Sequence, residues 1–348
     1  MKRPRRALIT GLSGQDGSYL AEFLLGKGYE VHGLVRRSSR DPLIRVGAHK
    51  HRIRVHYGDL RDLGALERTI KAADPHEIYN LAAQSDVGIS FKCPEETHEI
   101  DYAGVGRLVH AAMDHNPKIR IYQASTSEMF GATSPPQSER SAFNPVSPYG
   151  IAKLRAHEDY VVGYREKYGL YICSGVLFNH ESPRRGEHFV TRKVTLSLAK
   201  IKHGLQEKLM LGNLEARRDW GYAGDYVEAM WRMLQQKKPQ DFVIATGKQH
   251  SVRELVDAAA EALGMKLAWH GRGRRMVAKD EQGRVRVAVD PRYFRPREVN
   301  SLLGDARKAR RALGWKPEHS FGELIAMMAK ADEELIRRGK EVAGSIVS

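Results

Sequence analysis

Cysteine is scarce in this chain, with only Cys93 and Cys173 among 348 residues. Two cysteines cannot supply a disulfide framework or a cysteine-based metal site, so we expect no bound metal. No apolar run approaches the ~20 residues that cross a bilayer. The apolar stretch after the basic residues 1–6 is too short for a signal peptide. We therefore expect a cytoplasmic protein with no membrane partner.

Acidic residues are in the minority, and the formal net charge is +15. Lysine and arginine are nevertheless spread along the whole chain with acidic residues between them, rather than gathered in basic blocks. No repeat of basic and aromatic residues indicates a nucleic-acid-binding motif, so we expect no nucleic-acid partner. The excess of positive charge favours anionic small ligands such as dinucleotides and nucleotide sugars.

Residues 6–35 have the pattern of a dinucleotide-binding unit. A short apolar strand at 6–10 precedes a glycine-rich loop, an apolar-periodic helix and a second strand at 29–35. The glycines have the spacing G-x-x-G-x-x-G, which lets the backbone approach a pyrophosphate at a helix N-terminus. The loop residues that we expect to bind the cofactor are Gly11, Ser13, Gly14, Gln15, Asp16 and Gly17.

The ends of the next strands indicate which dinucleotide binds. Arg36 and Arg37 stand where an NAD site usually has an acidic residue. Arginines there suit a 2′-phosphate, so NADP is favoured; the alternative is an exposed arginine pair. Asp59 and Leu60 end the third strand and are candidates for contact with adenine. The fourth strand is followed by a turn that contains small residues. This turn is expected to lie against ribose and nicotinamide, or simply to allow close helix–strand packing. It consists of Leu81, Ala82, Ala83, Gln84 and Ser85.

The chemistry is expected where the fifth strand, residues 120–124, runs into the sequence STSE at 125–128. Tyr149 and Lys153 follow, four residues apart and therefore on one face of a helix. A lysine ammonium favours a neighbouring phenolate, so the pKa of Tyr149 should fall from its usual ~10 and make it a general acid and base. Polar side chains at the carboxyl end of a parallel strand lie where open α/β folds bind ligands. The alternative is a surface tyrosine beside a solvated lysine.

Two later segments have distinct patterns. Residues 251–263 predict a helix that begins with a capping box, in which Ser251 is the cap and Glu254 the reciprocal partner. Residues 266–286 are basic and rich in glycine, and we expect them to be irregular. Residues 321–338 predict a final amphipathic helix.

Together these motifs resemble the extended short-chain dehydrogenases/reductases that act on nucleotide sugars. Longer strings resemble the GDP-mannose 4,6-dehydratase family within that group, and they extend from about residue 6 to about residue 317, most of the chain. The strings include GQDGSYL at 14–20, NLAAQS at 80–85, QASTSE at 123–128, LFNHESPRRG at 177–186, FVTRK at 189–193 and RDWG at 218–221.

The resemblance implies a redox-neutral, NADP-dependent lyase that converts GDP-D-mannose to GDP-4-keto-6-deoxy-D-mannose, a precursor of GDP-fucose and GDP-rhamnose. Thr126, Tyr149 and Lys153 match the family's catalytic triad, and Glu128 matches its elimination base. The chemistry supports these roles, because a ketone at C4 acidifies C5–H and a carboxylate is needed to remove that proton. A simple dehydrogenase has no such proton to abstract.

The resemblance also implies a set of ligand-binding residues. His180, Arg185 and Lys153 match cofactor-side positions, and Glu298 is expected near guanine, whose N–H groups a carboxylate accepts. The residues implied on the substrate side are Ser85, Thr126, Glu128, Tyr149, Asn179, Val190, Lys193, Arg218, Arg295 and Glu298.

The implied architecture is α/β, a doubly wound parallel Rossmann sheet with a smaller, discontinuous C-terminal substrate domain. We expect the NADP-binding domain to comprise residues 1–180, about 223–250 and a return segment near 288–306. The GDP-sugar domain would comprise about 181–222, 251–287 and 307–348. Family members form homodimers or homotetramers.

Departures from the family pattern leave other functions open. Asp86 stands where many relatives have histidine, so the substrate is alternatively a related GDP sugar such as GDP-D-glycero-D-manno-heptose. A 4-reductase or epimerase needs Tyr149 and Lys153 but not Glu128, which argues against those activities. A non-catalytic Rossmann nucleotide-binding protein would have no use for all four of Thr126, Glu128, Tyr149 and Lys153.

Overall fold

The computed structural model describes residues 4–39, 41–293 and 301–347. Its strands, in chain order, are β1 (Arg6–Thr10), β2 (Glu30–Val35), β3 (Ile53–Tyr57), β4 (Glu77–Asn80), β5 (Arg120–Thr126), β6 (Ile172–Leu177), β7 (Asn179–Glu181), β8 (Leu209–Leu211), β9 (Arg217–Arg218), β10 (Trp220–Tyr222), β11 (Phe242–Ile244), β12 (His250–Ser251), β13 (Ala268–His270), β14 (Val277–Lys279) and β15 (Val285–Val289). Its α-helices are α1 (Gln15–Gly26), α2 (Leu63–Ala73), α3 (Val87–Lys92), α4 (Pro94–His98), α5 (Gly104–His115), α6 (Pro148–Ala156), α7 (Gly163–Tyr168), α8 (Val190–Lys202), α9 (Ala223–Leu234), α10 (Val252–Ala262), α11 (Arg307–Leu313) and α12 (Phe321–Val347).

The chain forms two compact units. The first unit comprises Met1–Asn179, Ala223–Gly247 and Leu303–Pro317, and the second comprises His180–Tyr222, Lys248–Leu302 and Glu318–Ser348. The last segment of the first unit is therefore Leu303–Pro317, and it differs from the return segment expected near 288–306.

Two contacts explain where the return segment lies. Strand β15 pairs in parallel with β8, which keeps the residues up to Val289 in the second unit. Trp315 is 1% exposed, and its indole N–H donates to the carbonyl of Asp225 at 2.8 Å within the first unit. The buried indole accounts for the continuation of the first unit to Pro317, beyond the expected end at residue 306.

A seven-stranded sheet is the centre of the first unit. Its order is β11-β6-β5-β4-β1-β2-β3, and every neighbouring pair is parallel. Such a sheet is buried on both faces, which explains why β6 consists of apolar and small residues and is buried at all six positions. The strand order reverses between β1 and β4, and ligands of open α/β sheets bind at such a switch point. The expected doubly wound Rossmann fold is confirmed.

The second unit has a four-stranded sheet in the order β13-β14-β15-β8. Helices α8, α10 and α12 pack against one another and enclose an apolar cluster that includes Trp220, Leu255 and Met328. The prediction that residues 266–286 are irregular is wrong, because β13, β14 and the start of β15 form an antiparallel meander there. Short strands of alternating Val, Ala and basic residues gave too weak a periodic signal for this to be expected.

The helix after residue 251 begins as its sequence predicted. The Ser251 hydroxyl accepts from the Glu254 N–H at 3.1 Å, and the Glu254 carboxylate accepts from the Ser251 N–H at 2.5 Å, so the capping box is confirmed. Across the described ranges, no helix combines the length and apolarity that crossing a membrane requires. The same residues contain no group of three or more His, Cys, Asp or Glu side chains placed to hold a metal ion.

Candidate active site

The glycine-rich loop is shaped by close backbone contacts. Gly11 has φ +71°, and a Cβ there would lie 2.8 Å from the backbone nitrogen of Ala82. A Cβ on Gly17 would lie 2.4 Å from the carbonyl oxygen of Gly11. Helix α1 begins after Gly14 with no side-chain cap, so its first N–H groups point to the loop as donors for an anion. The loop is therefore a cradle that fits a pyrophosphate and has no room for side chains at these glycines.

One basic residue contacts this loop directly. The guanidinium of Arg45 donates to the carbonyl of Ser13 at 3.1 Å. Arg45 belongs to the segment after the second strand, where the sequence offered no motif, and only the fold reveals that it reaches the glycine-rich loop. Arg36 and Arg37, the expected 2′-phosphate residues, follow β2 and are exposed.

The third strand leads to the two residues expected near adenine. The Asp59 carboxylate receives the Arg61 guanidinium at 2.9 and 3.0 Å, and these bonds are the main cause of the lowered pKa of that carboxyl. The positive charge of Arg36 also acts on Asp59. Leu60 is 3% exposed and packs in the core of the sheet. Asp59 is thus an ionised acceptor that already pairs with Arg61.

A ladder of buried polar side chains holds the ends of three neighbouring strands. Thr10 on β1 bonds Asn80 on β4 at 2.5 Å, and the Asn80 amide donates to Gln123 on β5 at 2.7 Å. The Thr10 hydroxyl also accepts from the N–H groups of Leu81 and Ala82, both at 3.2 Å. The ladder fixes the start of the 81–85 turn over the glycine-rich loop. The remaining residues of that turn, Ala83, Gln84 and Ser85, follow on the way to α3.

Thr126 and Glu128 lie at the carboxyl end of β5. Thr126 is 8% exposed and its hydroxyl accepts from the Glu128 N–H at 3.2 Å, which caps the short 3-10 turn Ser127–Met129. Glu128 is 9% exposed. Both side chains therefore stand at the edge of the sheet where the sequence analysis expected them, largely removed from water.

Tyr149 and Lys153 lie on α6, as the spacing predicted. The helix is capped by Ser147, whose hydroxyl accepts from the Gly150 N–H at 3.1 Å. A Cβ on Gly150 would lie 2.7 Å from the carbonyl oxygen of Glu128. This glycine lets α6 approach the backbone of the turn that carries Glu128.

Lys153 is 2% exposed, and its Nζ lies 5.9 Å from the ring centroid of Tyr149. The same Nζ donates to the carbonyl of Ala124 on β5 at 3.1 Å. Burial lowers the pKa of Lys153, and the charge of Asp101 opposes that effect. The pair is therefore buried next to the carboxyl end of β5.

The cofactor-side residues His180 and Arg185 belong to the second unit. His180 is 9% exposed on β7. The Arg185 guanidinium makes an ion pair with Glu181 at 3.0 Å and lies 3.6 Å from the Phe189 ring centroid. Arg185 is thus held by its own unit in a defined position.

Four of the residues expected on the substrate side follow β6. Asn179 ends the first segment of the first unit, and Val190, Lys193 and Arg218 lie in the second unit. Lys193 on α8 lies with its Nζ 3.7 Å from the ring centroid of Tyr293; burial lowers its pKa, and the charge of Asp290 opposes this. Arg218 is 7% exposed, and Val190 begins α8. Arg295 and Glu298 lie outside the described residues.

Asp86, the departure from the family pattern, has a structural function. Its carboxylate accepts from the Ile89 N–H at 3.0 Å and caps α3. Its backbone N–H donates to the Gln84 side chain at 2.9 Å. This residue shapes the exit from the 81–85 turn.

A phosphate-binding glycine loop, a parallel sheet with its switch point, and a buried tyrosine–lysine pair with a threonine at the strand end define an extended short-chain dehydrogenase/reductase. A UDP-glucose 4-epimerase from Thermus thermophilus, solved in complex with NAD, has this fold with a TM-score of 0.79 and 26% sequence identity, over 94% of this chain and 98% of that one.

Within this class, the sequence comparisons identify one family. The family model of GDP-mannose 4,6-dehydratase matches residues 8–328. GDP-mannose 4,6 dehydratase 1 of Arabidopsis thaliana is 51% identical over 354 residues, which covers 98% of this chain and 93% of that protein. The human GDP-mannose 4,6 dehydratase is 51% identical over 350 residues, covering 97% and 94%. The chain belongs to the GDP-mannose 4,6-dehydratase family.

Proposed function

We propose that this protein is a hydro-lyase that removes water from GDP-D-mannose to give GDP-4-keto-6-deoxy-D-mannose, with no net oxidation or reduction. The observation that carries the proposal is a buried Glu128 placed beside the helix of Tyr149 and Lys153 by the glycine contact at Gly150. Relatives at about half sequence identity carry the name of this activity.

NADP is the cofactor that we propose. It would accept a hydride from C4 and later return a hydride to C6. The cradle formed by Gly11, Gly14 and Gly17 and the uncapped start of α1 would hold its pyrophosphate. Arg36 and Arg37 would hold the 2′-phosphate, because each guanidinium offers several donors to it. A nicotinamide cofactor is further supported by the NAD complex of the related epimerase.

The side chains would act in sequence on the sugar. Tyr149 takes the proton of the C4 hydroxyl as the ketone forms, with the ammonium of Lys153 favouring the phenolate and the Thr126 hydroxyl bonding the same oxygen. The ketone makes the C5 proton acidic. Glu128 removes that proton and passes it to the C6 hydroxyl, which leaves as water and leaves a double bond between C5 and C6. A hydride returned to C6 and a proton delivered to C5 would complete the product, and the proton that Tyr149 took balances the one delivered.

The test is to incubate the purified protein with GDP-D-mannose and catalytic NADP, without added reductant, and to follow the loss of one water by mass spectrometry. Glu128→Gln should slow dehydration by about 10²–10⁴-fold, the usual contribution of a general acid or base. Tyr149→Phe should do the same while GDP still binds. Turnover of either variant at the wild-type rate would refute the assignment of these roles.

A related GDP sugar is the second candidate, and Asp86 is the observation that favours it. Dehydration of GDP-D-glycero-D-manno-heptose, with no product from GDP-D-mannose, would move the assignment to that substrate. Binding of NADP and GDP with no dehydration of either sugar would instead support a non-catalytic nucleotide-binding protein.

The cellular setting is also a proposal. We infer a cytoplasmic homodimer or homotetramer that supplies GDP-fucose or GDP-rhamnose synthesis, from the scarcity of cysteine and the family membership. Light scattering of the purified protein would give the oligomeric state directly.

A further inference from the structure

Asp101 is a buried acid that the proposed reaction has not used. It lies in the π-helical turn Glu99–Ala103 between α4 and α5 and is 0% exposed. Its Oδ1 accepts from the Gln84 N–H at 2.9 Å. Its Oδ2 is buried and has no hydrogen-bond partner among the residues that the structure describes. A buried carboxylate oxygen without a partner is costly, so it requires an explanation.

The turn that carries Asp101 packs against α6, the helix of Tyr149 and Lys153. An ammonium has three N–H donors, and the hydrogen bond of the Lys153 Nζ to Ala124 accounts for one of them. A buried ammonium needs a nearby negative charge to remain protonated. Asp101 is the acid whose charge acts on Lys153.

Other charged and titratable side chains lie on the helices packed against this turn. They are Glu95, Glu96 and His98 on α4, Arg107, His110, Asp114 and His115 on α5, and Tyr149, Lys153 and Arg155 on α6. Arg107 makes an ion pair with Glu99, and the guanidinium of Arg155 lies 4.9 Å from the ring centroid of Tyr102. Among these groups, Lys153 is the one whose charge acts on Asp101. The two buried groups therefore carry opposite charges on elements that pack against each other.

We propose that Asp101 is the buried counter-charge of Lys153 and a positioning residue for the reaction, with one oxygen opposing the ammonium and the other anchoring the 81–85 turn. The role of Asp101 in catalysis rests on the proposed dehydratase function. A neutral lysine would no longer favour the Tyr149 phenolate, so Asp101 acts on the chemistry through Lys153. The same side chain links the lysine to the turn at which we expect the cofactor.

Asp101→Asn separates this function from a purely structural one. The amide oxygen can still accept the Gln84 N–H, so the anchor of the turn is retained while the charge is removed. Glu77→Gln is the matched control, because Glu77 is also 0% exposed but lies at the start of β4, where it bonds the Tyr79 hydroxyl at 2.8 Å.

The first measurement does not depend on activity. Lysine labelled with carbon-13 at Cε reports amine protonation by NMR, and the Lys153 signal is assigned by its loss in Lys153→Met. In Asp101→Asn the midpoint of the Lys153 titration should fall by about one pH unit, the scale of a nearby opposite charge. Glu77→Gln should leave it in place. An unchanged midpoint in Asp101→Asn overturns the proposal, whatever reaction the protein catalyses.

The second measurement is the pH profile of kcat for dehydration of GDP-D-mannose. The alkaline limb should move to lower pH by about one unit in Asp101→Asn, with KM and NADP affinity retained. A lower kcat at every pH with unmoved limbs would make Asp101 merely structural. If Asp101→Asn does not fold, Asp101→Ser, which is also neutral and can accept a hydrogen bond, takes its place with the same two outcomes.

Discussion

Asp101→Asn should make the protein more stable relative to wild type as the pH rises. Burial raises the pKa of the Asp101 carboxyl from 3.8 to about 6, although Lys153 and the Gln84 N–H act the other way. Between these pH values the folded protein binds more protons than the unfolded chain, so the Asp101 contribution to stability is lost as the pH rises. An amide does not titrate in this range and escapes that loss.

The magnitude follows from the same two values. The interval from 3.8 to about 6 corresponds to roughly 3 kcal/mol, because each pKa unit is worth about 1.4 kcal/mol. The free energy of unfolding of Asp101→Asn, minus that of wild type, should therefore increase by roughly 3 kcal/mol between about pH 3 and about pH 7. The titrations of groups that do not interact with Asp101 cancel in this difference.

Urea unfolding followed by circular dichroism at a series of pH values measures this difference. Asp241→Asn is a control with the opposite sign. Burial is the largest single effect and acts to raise the pKa of the Asp241 carboxyl. Two bonds from Arg165, at 2.7 and 3.0 Å, the Ser174 N–H at 2.7 Å and the charge of His157 together lower that pKa below its usual value. That variant should lose stability relative to wild type above the acidic range. A pH-independent difference for Asp101→Asn would refute the reasoning. The expected result means that Asp101 is retained at the expense of stability, as functional residues often are.

Two glycine substitutions test how the site is assembled. Gly17→Ala places a Cβ 2.4 Å from the Gly11 carbonyl oxygen. We therefore expect its NADP affinity, measured by calorimetry, to fall about tenfold or more. The control Gly26→Ala, whose Cβ meets nothing within 4 Å, should bind NADP normally. Gly150→Ala places a Cβ 2.7 Å from the Glu128 carbonyl oxygen and should lower kcat for dehydration, measured by mass spectrometry, by about tenfold or more while NADP affinity is retained. Equal affinity in Gly17→Ala, or an unchanged kcat in Gly150→Ala, would contradict the respective contact.

Most of the first unit could be predicted from the sequence, because its signals are local and strong. The strand before Gly11, the helix after it and the helix of Tyr149 and Lys153 each combine a periodic apolar pattern with a turn or cap. Such patterns depend on residues that are neighbours in the chain. The strand ends then place Thr126 and Glu128 at one edge of the sheet, since parallel strands share that edge.

The residues that were missed act through contacts between distant parts of the chain. Asp101 and Gln84 are 17 residues apart and Arg45 and Ser13 are 32 apart, and neither pair has a motif. An aspartate inside an apolar-periodic helix looks like any solvated position until the packing shows that it is buried. The meander at 268–289 was missed for the opposite reason, because its strands are too short for periodicity to be visible.

The late return of the chain to the first unit has a consequence for biosynthesis. Trp315 and its neighbours are made only after the two segments His180–Tyr222 and Lys248–Leu302 of the second unit have been made. A nascent chain that has reached residue 247 carries all seven strands of the large sheet but leaves the partners of Trp315 uncovered. The first unit cannot be obtained by a simple truncation, and a premature stop anywhere before residue 315 would release an apolar surface that chaperones or proteases recognise.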